Sequence, residues 1–106
     1  MWVEVIEEIR RLTELKNISD EEIAPYIEIA QNELDDSLKN NLKALSFYTL
    51  KLLGQKLWHK IQQRANEYDE TLETFKDVQK WEEYWQERLN ALRDNAKIES
   101  FFFGAV

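Results

Sequence analysis

The sequence predicts a small all-α protein: a bundle of about four helices with an extended C-terminal tail. Three observations carry that prediction. The 106 residues have room for one small domain and not two. With 2 Gly and 1 Pro, the chain has too few turn formers for a β-sandwich or barrel. Apolar residues recur at three-to-four spacing along most of its length, the period of a helix with one buried face. Hydrophobic residues at 43% and charged residues at 33% suit a globular domain rather than a disordered one. The bundle is assigned to residues 1–95 and the tail to 96–106.

The first helix covers about residues 2–16. Val5, Ile9, Leu12 and Leu15 form its apolar face, widened by Val3 and Ile6. Asn17 and Ile18 interrupt it. Ser19-Asp20-Glu21-Glu22 then reads as a capping box, in which the Ser19 hydroxyl accepts from the Glu22 amide and the Glu22 carboxylate reaches back. Three acids in the first turn also suit the positive end of the helix dipole. The second helix carries Ile23, Ile27, Ala30, Leu34 and Leu38 on one face, with a kink or restart expected at Pro25. Asp35-Asp36-Ser37 and Asn40-Asn41 bracket a turn.

The third helix begins near Asn41 and is apolar almost all round between Leu42 and Leu57. Such a helix is surrounded by others and forms the centre of the fold. Gly54 in its interior costs about 1 kcal/mol relative to Ala, and close approach of another helix is the expected reason. Leu57, Ile61, Ala65, Tyr68, Leu72 and Phe75 continue in helical phase through a polar stretch. Of the two ways to read this, one unbroken helix or a break near Asn66–Thr74, the break is expected, with Thr74-Phe75-Lys76-Asp77 capping a new start. The fourth helix places Val78, Trp81, Trp85, Leu89 and Leu92 in one stripe and ends by Ala96.

Charge is segregated along the chain. Between Asn17 and Ser37 there are seven acids and no base, and between Leu38 and Asn66 six bases and no acid; the whole chain carries −7. An acidic and a basic helix can pack side by side within one domain, which needs no partner. They can equally meet across subunits, and Asp20, Glu21 and Glu28 against Lys43, Lys51 and Lys56 are the expected interface in that case. The acidic balance disfavours free DNA as a ligand for the whole chain, because affinity for phosphates needs clustered Lys and Arg.

Catalytic and metal-binding patterns are missing from the sequence. There is no cysteine, hence no disulfide framework, thiolate zinc site or cysteine nucleophile, and a reducing, cytoplasmic origin fits. The single histidine, His59, has Gln55, Lys56, Gln62 and Gln63 at helical spacing, none a good metal ligand. Ser19, Ser37, Ser46 and Ser100 lack the glycine-flanked elbow of a nucleophile. Two isolated glycines build no phosphate loop. The paired carboxylates Asp35/Asp36, Glu82/Glu83 and Asp69/Glu70 lie in polar runs, not in the apolar pocket that raises a catalytic pKa. No catalytic residue, metal or cofactor is expected. No 18-residue apolar run is long enough to span a membrane, and the early Glu4, Glu7 and Glu8 are unlike a signal or transit peptide.

Thirteen aromatic residues (4 Trp, 4 Tyr and 5 Phe) are the most pointed feature left. Trp81, Tyr84 and Trp85 stand among acids rather than bases, which suits core or protein-interface anchors and not a stacking platform for single-stranded nucleic acid. Three consecutive aromatics, Phe101-Phe102-Phe103, cannot all face one core from a regular element. They fold back on the bundle or enter a neighbour, and Phe101, Phe102, Phe103, Gly104 and Val106 are the expected partner-binding residues, with Gly104 supplying a bend.

The order of features, Ile18-Ser19-Asp20-Glu21-Glu22-Ile23 with Ile27, Ala30 and Leu34, then Leu42-Lys43-Ala44-Leu45-Ser46-Phe47-Tyr48-Thr49-Leu50-Lys51-Leu52-Leu53-Gly54, resembles the head–tail connector (adaptor) proteins of tailed bacteriophages and prophages. The resemblance covers roughly residues 5–55. Residues Glu67–Asn95 are longer and richer in tryptophan than that family's pattern, and the third helix is lysine-rich where the family has alanine. What the resemblance implies is a structural virion protein of the neck, made in the host cytoplasm. It would form a homo-oligomeric ring, dodecameric in that family, between the portal protein and a tail or stopper protein, around the DNA channel. An acidic channel wall lets DNA slide without phosphate contacts, and Glu67, Asp69, Glu70 and Glu73 are the residues expected to line it. The alternative is an acidic helical interaction protein: a host-factor inhibitor, a DNA mimic or a regulatory module.

Overall fold

The computed structural model describes residues 2–13, 15, 17–67 and 77–104, with side chains described for 2–13, 15, 17–61 and 77–94. Among these residues there are four helices: α1 (Trp2–Thr13), α2 (Asp20–Glu33), α3 (Leu42–Glu67) and α4 (Val78–Gly104). The fold is all-α, as the periodicity predicts.

Local chemistry sets the helix starts. At α2, Glu22 N donates to Ser19 Oγ (3.2 Å) and Ser19 N donates to Glu22 Oε1 (3.1 Å), which closes the capping box. Asn41 caps α3, its side-chain oxygen accepting from Ala44 N at 3.0 Å. Asp77 caps α4 in the same way, accepting from Lys80 N at 2.8 Å. The new start expected in Thr74–Asp77 therefore falls on the last residue of that group.

The core is built on α3, which packs against each of the other helices, while α1 and α2 also pack on one another. Val5 and Ile9 of α1, Ile23, Ile27 and Ala30 of α2, Ala44, Leu45, Leu50, Leu53 and Ile61 of α3, and Trp81, Trp85 and Leu89 of α4 are buried together. Each Val, Ile or Leu side chain so buried contributes roughly 1.5–3 kcal/mol. Paired side chains give the directions. Trp2 bonds Gln31 and Arg10 bonds Asp20, so α1 and α2 are antiparallel. Glu22 meets Lys60 and Glu33 meets Tyr48, so α2 and α3 are antiparallel too. Phe47 stacks on Trp85 and, further along α3, Trp58 meets Trp81, which makes α3 and α4 an antiparallel pair and two separate helices.

Several sequence expectations need correction. The first helix ends at Thr13, not residue 16. Beyond it the Arg10 guanidinium reaches forward to donate to Leu15 O and to Ile18 O (2.7 Å). No restart occurs at Pro25: α2 is one element from Asp20 to Glu33. Proline in the second turn removes a single bond, to the Glu21 carbonyl, and Pro25 is solvent-exposed. Leu34 and Leu38 are buried as expected, but from the connection after α2 rather than from its face.

The largest correction concerns the C-terminus. α4 does not end by Ala96; its backbone is helical to Gly104, where an extended segment was expected. Between Asn95 and Gly104 no Pro or Gly interrupts the chain, and Ala96, Lys97 and Glu99 favour helix, so the hydrogen-bond ladder has no reason to stop earlier. Gly104 closes the element, the residue type most used to end a helix. Residues 105 and 106 lie outside the described residues. A feature that periodicity did not announce is the kink in α3 at Leu57 (φ −127°, ψ 32°).

Candidate functional site

The residues expected to carry function fall into three groups, and the structure treats each differently. Of the acidic and basic candidates, two are engaged within the chain. Asp20 accepts from Arg10 at 2.7 Å. Lys51 is half-buried, donates to Gln86 Oε1 at 2.8 Å and lies 5.6 Å from the centre of the Tyr48 ring. Glu21, Glu28, Lys43 and Lys56 are exposed and make no ion pair among the described residues. The segregated charge is thus partly met inside one molecule and partly left on its surface.

The internal contact between the acidic and basic segments runs through Glu22. Its Oε2 accepts from Lys60 Nζ at 2.5 Å while its Oε1 holds the Ser19 cap. The Lys60 ammonium, followed by the Ser19 amide, holds the Glu22 carboxyl below the usual carboxylate range. Asn17 Nδ2 donates to the Lys60 carbonyl at 2.7 Å, so one turn of α3 beyond the Leu57 kink is tied to both α1–α2 connection and α2. At the other end of α2, the Tyr48 hydroxyl donates to Glu33. Burial first, and then that bond to a carboxylate, push the Tyr48 phenol up to about 12. Arg93 of α4 reaches Asp35 at 3.3 Å, joining α4 to the connection after α2.

The aromatic candidates on α4 divide between core and surface. Trp81 and Trp85 are buried, with ring centres 5.6 Å apart. Trp58 meets Trp81 edge-on at 5.9 Å, and Phe47 stacks on Trp85 at 5.8 Å. Tyr84 is half-buried and carries the Arg88 guanidinium 4.3 Å from its ring centre. Trp81 and Trp85 are core anchors, while Tyr84 packs edge-on against Trp85 from a half-buried position with the exposed Arg88 beside it. The flank of α4 bearing Glu82, Glu83, Gln86 and Glu87 borders an open groove with Lys51, a feature the sequence did not single out.

The remaining candidates are placed by backbone alone or not at all. Glu67 is the last residue of α3, and Asp69, Glu70 and Glu73 lie outside the described residues. Phe101, Phe102, Phe103 and Gly104 form the last turn of α4. Val106 lies outside the described residues. His59 is exposed on α3. Among the described residues no group of three or more His, Asp or Glu side chains is placed to hold a metal ion, and no helix is long and apolar enough to cross a membrane. No protein-family model, curated protein or solved structure matches the chain.

Proposed function

We propose that this chain is a structural connector subunit of the head–tail type found in tailed bacteriophages, assembling as a homo-oligomeric ring between a portal protein and a tail or stopper protein. The observation that carries this reading is the unpaired part of the charge segregation. Glu21 and Glu28 on α2 and Lys43 and Lys56 on α3 are exposed and form no ion pair among the described residues. Opposite charges on two different faces of one subunit suit a heterologous contact, which closes into a ring when the rotation permits. The short first helix, capped acidic second helix and apolar central helix stand in the order that the connector resemblance implies.

In this reading the residues past Asn95, ending in Phe101-Phe102-Phe103, form the portal-binding element, and they act as a helix rather than as an extended strand. The acidic residues around Glu67, Asp69, Glu70 and Glu73 face the DNA. The protein works in the neck of the virion, after synthesis in the host cytoplasm, and carries no catalytic step or cofactor. Mass photometry and negative-stain imaging of the purified full chain test the reading. Rings that dissolve when Lys43 and Lys56 are both changed to Glu are expected at low salt, since exposed ion pairs are screened as salt rises. A strict monomer at every salt concentration overturns it. Deleting residues 100–106, which removes the last turn of α4, is expected to abolish co-purification with the portal while the rest of the bundle stays folded.

The second reading, an acidic interaction protein, is favoured by one observation: Glu82, Glu83 and Glu87 edge the groove on α4 with Lys51 as the only cation among its described lining residues. A monomer that binds a basic host enzyme through that flank supports it over the connector.

A further inference from the structure

We infer that the acidic half of the subunit contact is the seam between α1 and α2, with Trp2 and Val3 as its apolar centre, and that the start of α3 of the next copy, Leu42 and Lys43, seats there. The inference rests on the connector reading and deepens it, since that reading draws only charges from α2 and α3 and nothing from α1. Trp2, Ile6 and Arg10 recur every four residues and so share one flank of α1. Both ends of that flank are fastened to α2. The Trp2 indole donates to Gln31 Oε1 at 3.3 Å, and Arg10 donates to Asp20 at 2.7 Å. Val3 precedes Arg10 by seven residues, about two turns, and therefore lies on the same flank. Trp2 is 39% exposed and Val3 68%, whereas Val5 and Ile9 on the same helix are buried. Tryptophan is the commonest anchor of protein contacts, and the bond to Gln31 already orders this one.

Charge and position identify the occupant. Glu7, one turn after Val3 on α1, and Glu28, three residues before Gln31 on α2, are exposed and form no ion pair among the described residues. Arg10, the cation on this flank, is engaged by Asp20. The seam therefore fits an apolar side chain that carries a cation beside it. The start of α3 offers that pair: Leu42 is 37% exposed, and the next residue, Lys43, is exposed and forms no ion pair among the described residues. The two features do not meet within one molecule. Glu8, whose carboxyl is held low by Arg11 first and by Lys43 last, stands about 140° around α1 from Val3. Complementary patches on different sides of one subunit join head to tail between copies, the heterologous contact from which rings are built. A foreign basic segment would fill the seam and leave Leu42 and Lys43 uncovered; a second copy covers both.

Mass photometry and sedimentation velocity of the full chain at low salt test the contact. Val3→Lys removes the apolar centre and sets a cation against Lys43, and it is expected to weaken assembly by about tenfold or more. Glu7→Lys with Glu28→Lys, and separately Lys43→Glu, are each expected to weaken it by about two- to fivefold, the size of exposed ion pairs. All three charge changes combined in one chain are expected to restore assembly, because the two patches then exchange sign. Glu83→Lys, the same charge change on α4, is expected to leave assembly unchanged. Every substituted residue is exposed, so unchanged circular dichroism and Tm verify that the fold is retained. Assembly indifferent to Val3→Lys, a charge exchange that fails to restore it, or a Glu83→Lys effect as large as that of Glu7→Lys with Glu28→Lys overturns the proposal. Rings that survive Val3→Lys yet dissolve when Lys43 and Lys56 are both changed to Glu retire this contact and leave the connector reading in place. A chain that is monomeric at every salt concentration overturns both.

Discussion

The indole of Trp81 occupies the space that a side chain at residue 54 would fill. A Cβ built on Gly54 would stand 2.5 Å from Trp81 Nε1 and 3.1 Å from its Cγ. At that closeness the indole N–H donates to the Leu50 carbonyl at 2.6 Å, one turn before Gly54 on the same helix. The glycine is what lets α4 approach α3, and the bond fixes the register between them.

Glycine-to-alanine within a helix ordinarily stabilises by about 1 kcal/mol. Here Gly54→Ala is expected to destabilise by roughly 1–3 kcal/mol, the range for forcing extra volume into a packed core. Urea unfolding of the two proteins checks this, and a higher midpoint for the alanine variant would refute it. In a Trp81→Phe background the same substitution is expected to cost less, with a coupling of roughly 0.5–3 kcal/mol in the double-mutant cycle.

Pro25 lies inside α2 with its ring in solvent. Pro25→Ala is expected to raise stability, by up to about 3 kcal/mol, because it returns an amide that can donate to the Glu21 carbonyl. The comparison is again the chemical midpoint at constant slope. A fall in stability would mean that the proline limits the unfolded chain more than it harms the helix.

Acid sensitivity follows from Glu22. Its carboxyl titrates below the ordinary value of 4.5 in the folded protein, because Lys60 and then the Ser19 amide favour the charged form. A depressed folded pKa contributes stability that is present above about pH 4.5 and is lost as pH falls through the folded value. Glu22→Gln is therefore expected to flatten the pH dependence of Tm below pH 4.5 relative to the parent chain. Ser19→Ala, which removes the cap hydroxyl, is expected to lower stability by roughly 0.5–2 kcal/mol.

Tyr48 has the opposite sign. Its phenol is raised from 10.0 to about 12, so the stabilisation is present below pH 10 and is lost as pH rises toward 12. Ultraviolet titration of tyrosinate should show a late-ionising step, and Tyr48→Phe should remove it. If Tyr48→Phe leaves the alkaline titration unchanged, neither the burial of the phenol nor its bond to Glu33 persists in solution.

Much of the candidate surface was legible because charge and periodicity are local properties. Seven acids followed by six bases mark two oppositely charged segments whatever the fold. Which of those charges stay free is not local. Asp20 and Lys51 look no different in sequence from Glu28 and Lys43, yet Arg10 takes the first and Gln86 engages the second. The exposure of Val3 and Leu42 was equally hidden, since both sit in stretches of apolar residues that read as core face.

By itself, the sequence determined four helices, the Ser19–Glu22 box and the central place of the helix after Asn41. Each depends on hydrogen bonds and burial patterns within a few residues of one another. Tertiary structure alone decided that α3 bends at Leu57, that Trp81 is what Gly54 makes room for, and that Lys60 rather than another lysine meets Glu22. Those outcomes depend on the register between helices 20 to 40 residues apart in the chain. Register is set by how whole side chains interlock, which no spacing within a single helix encodes.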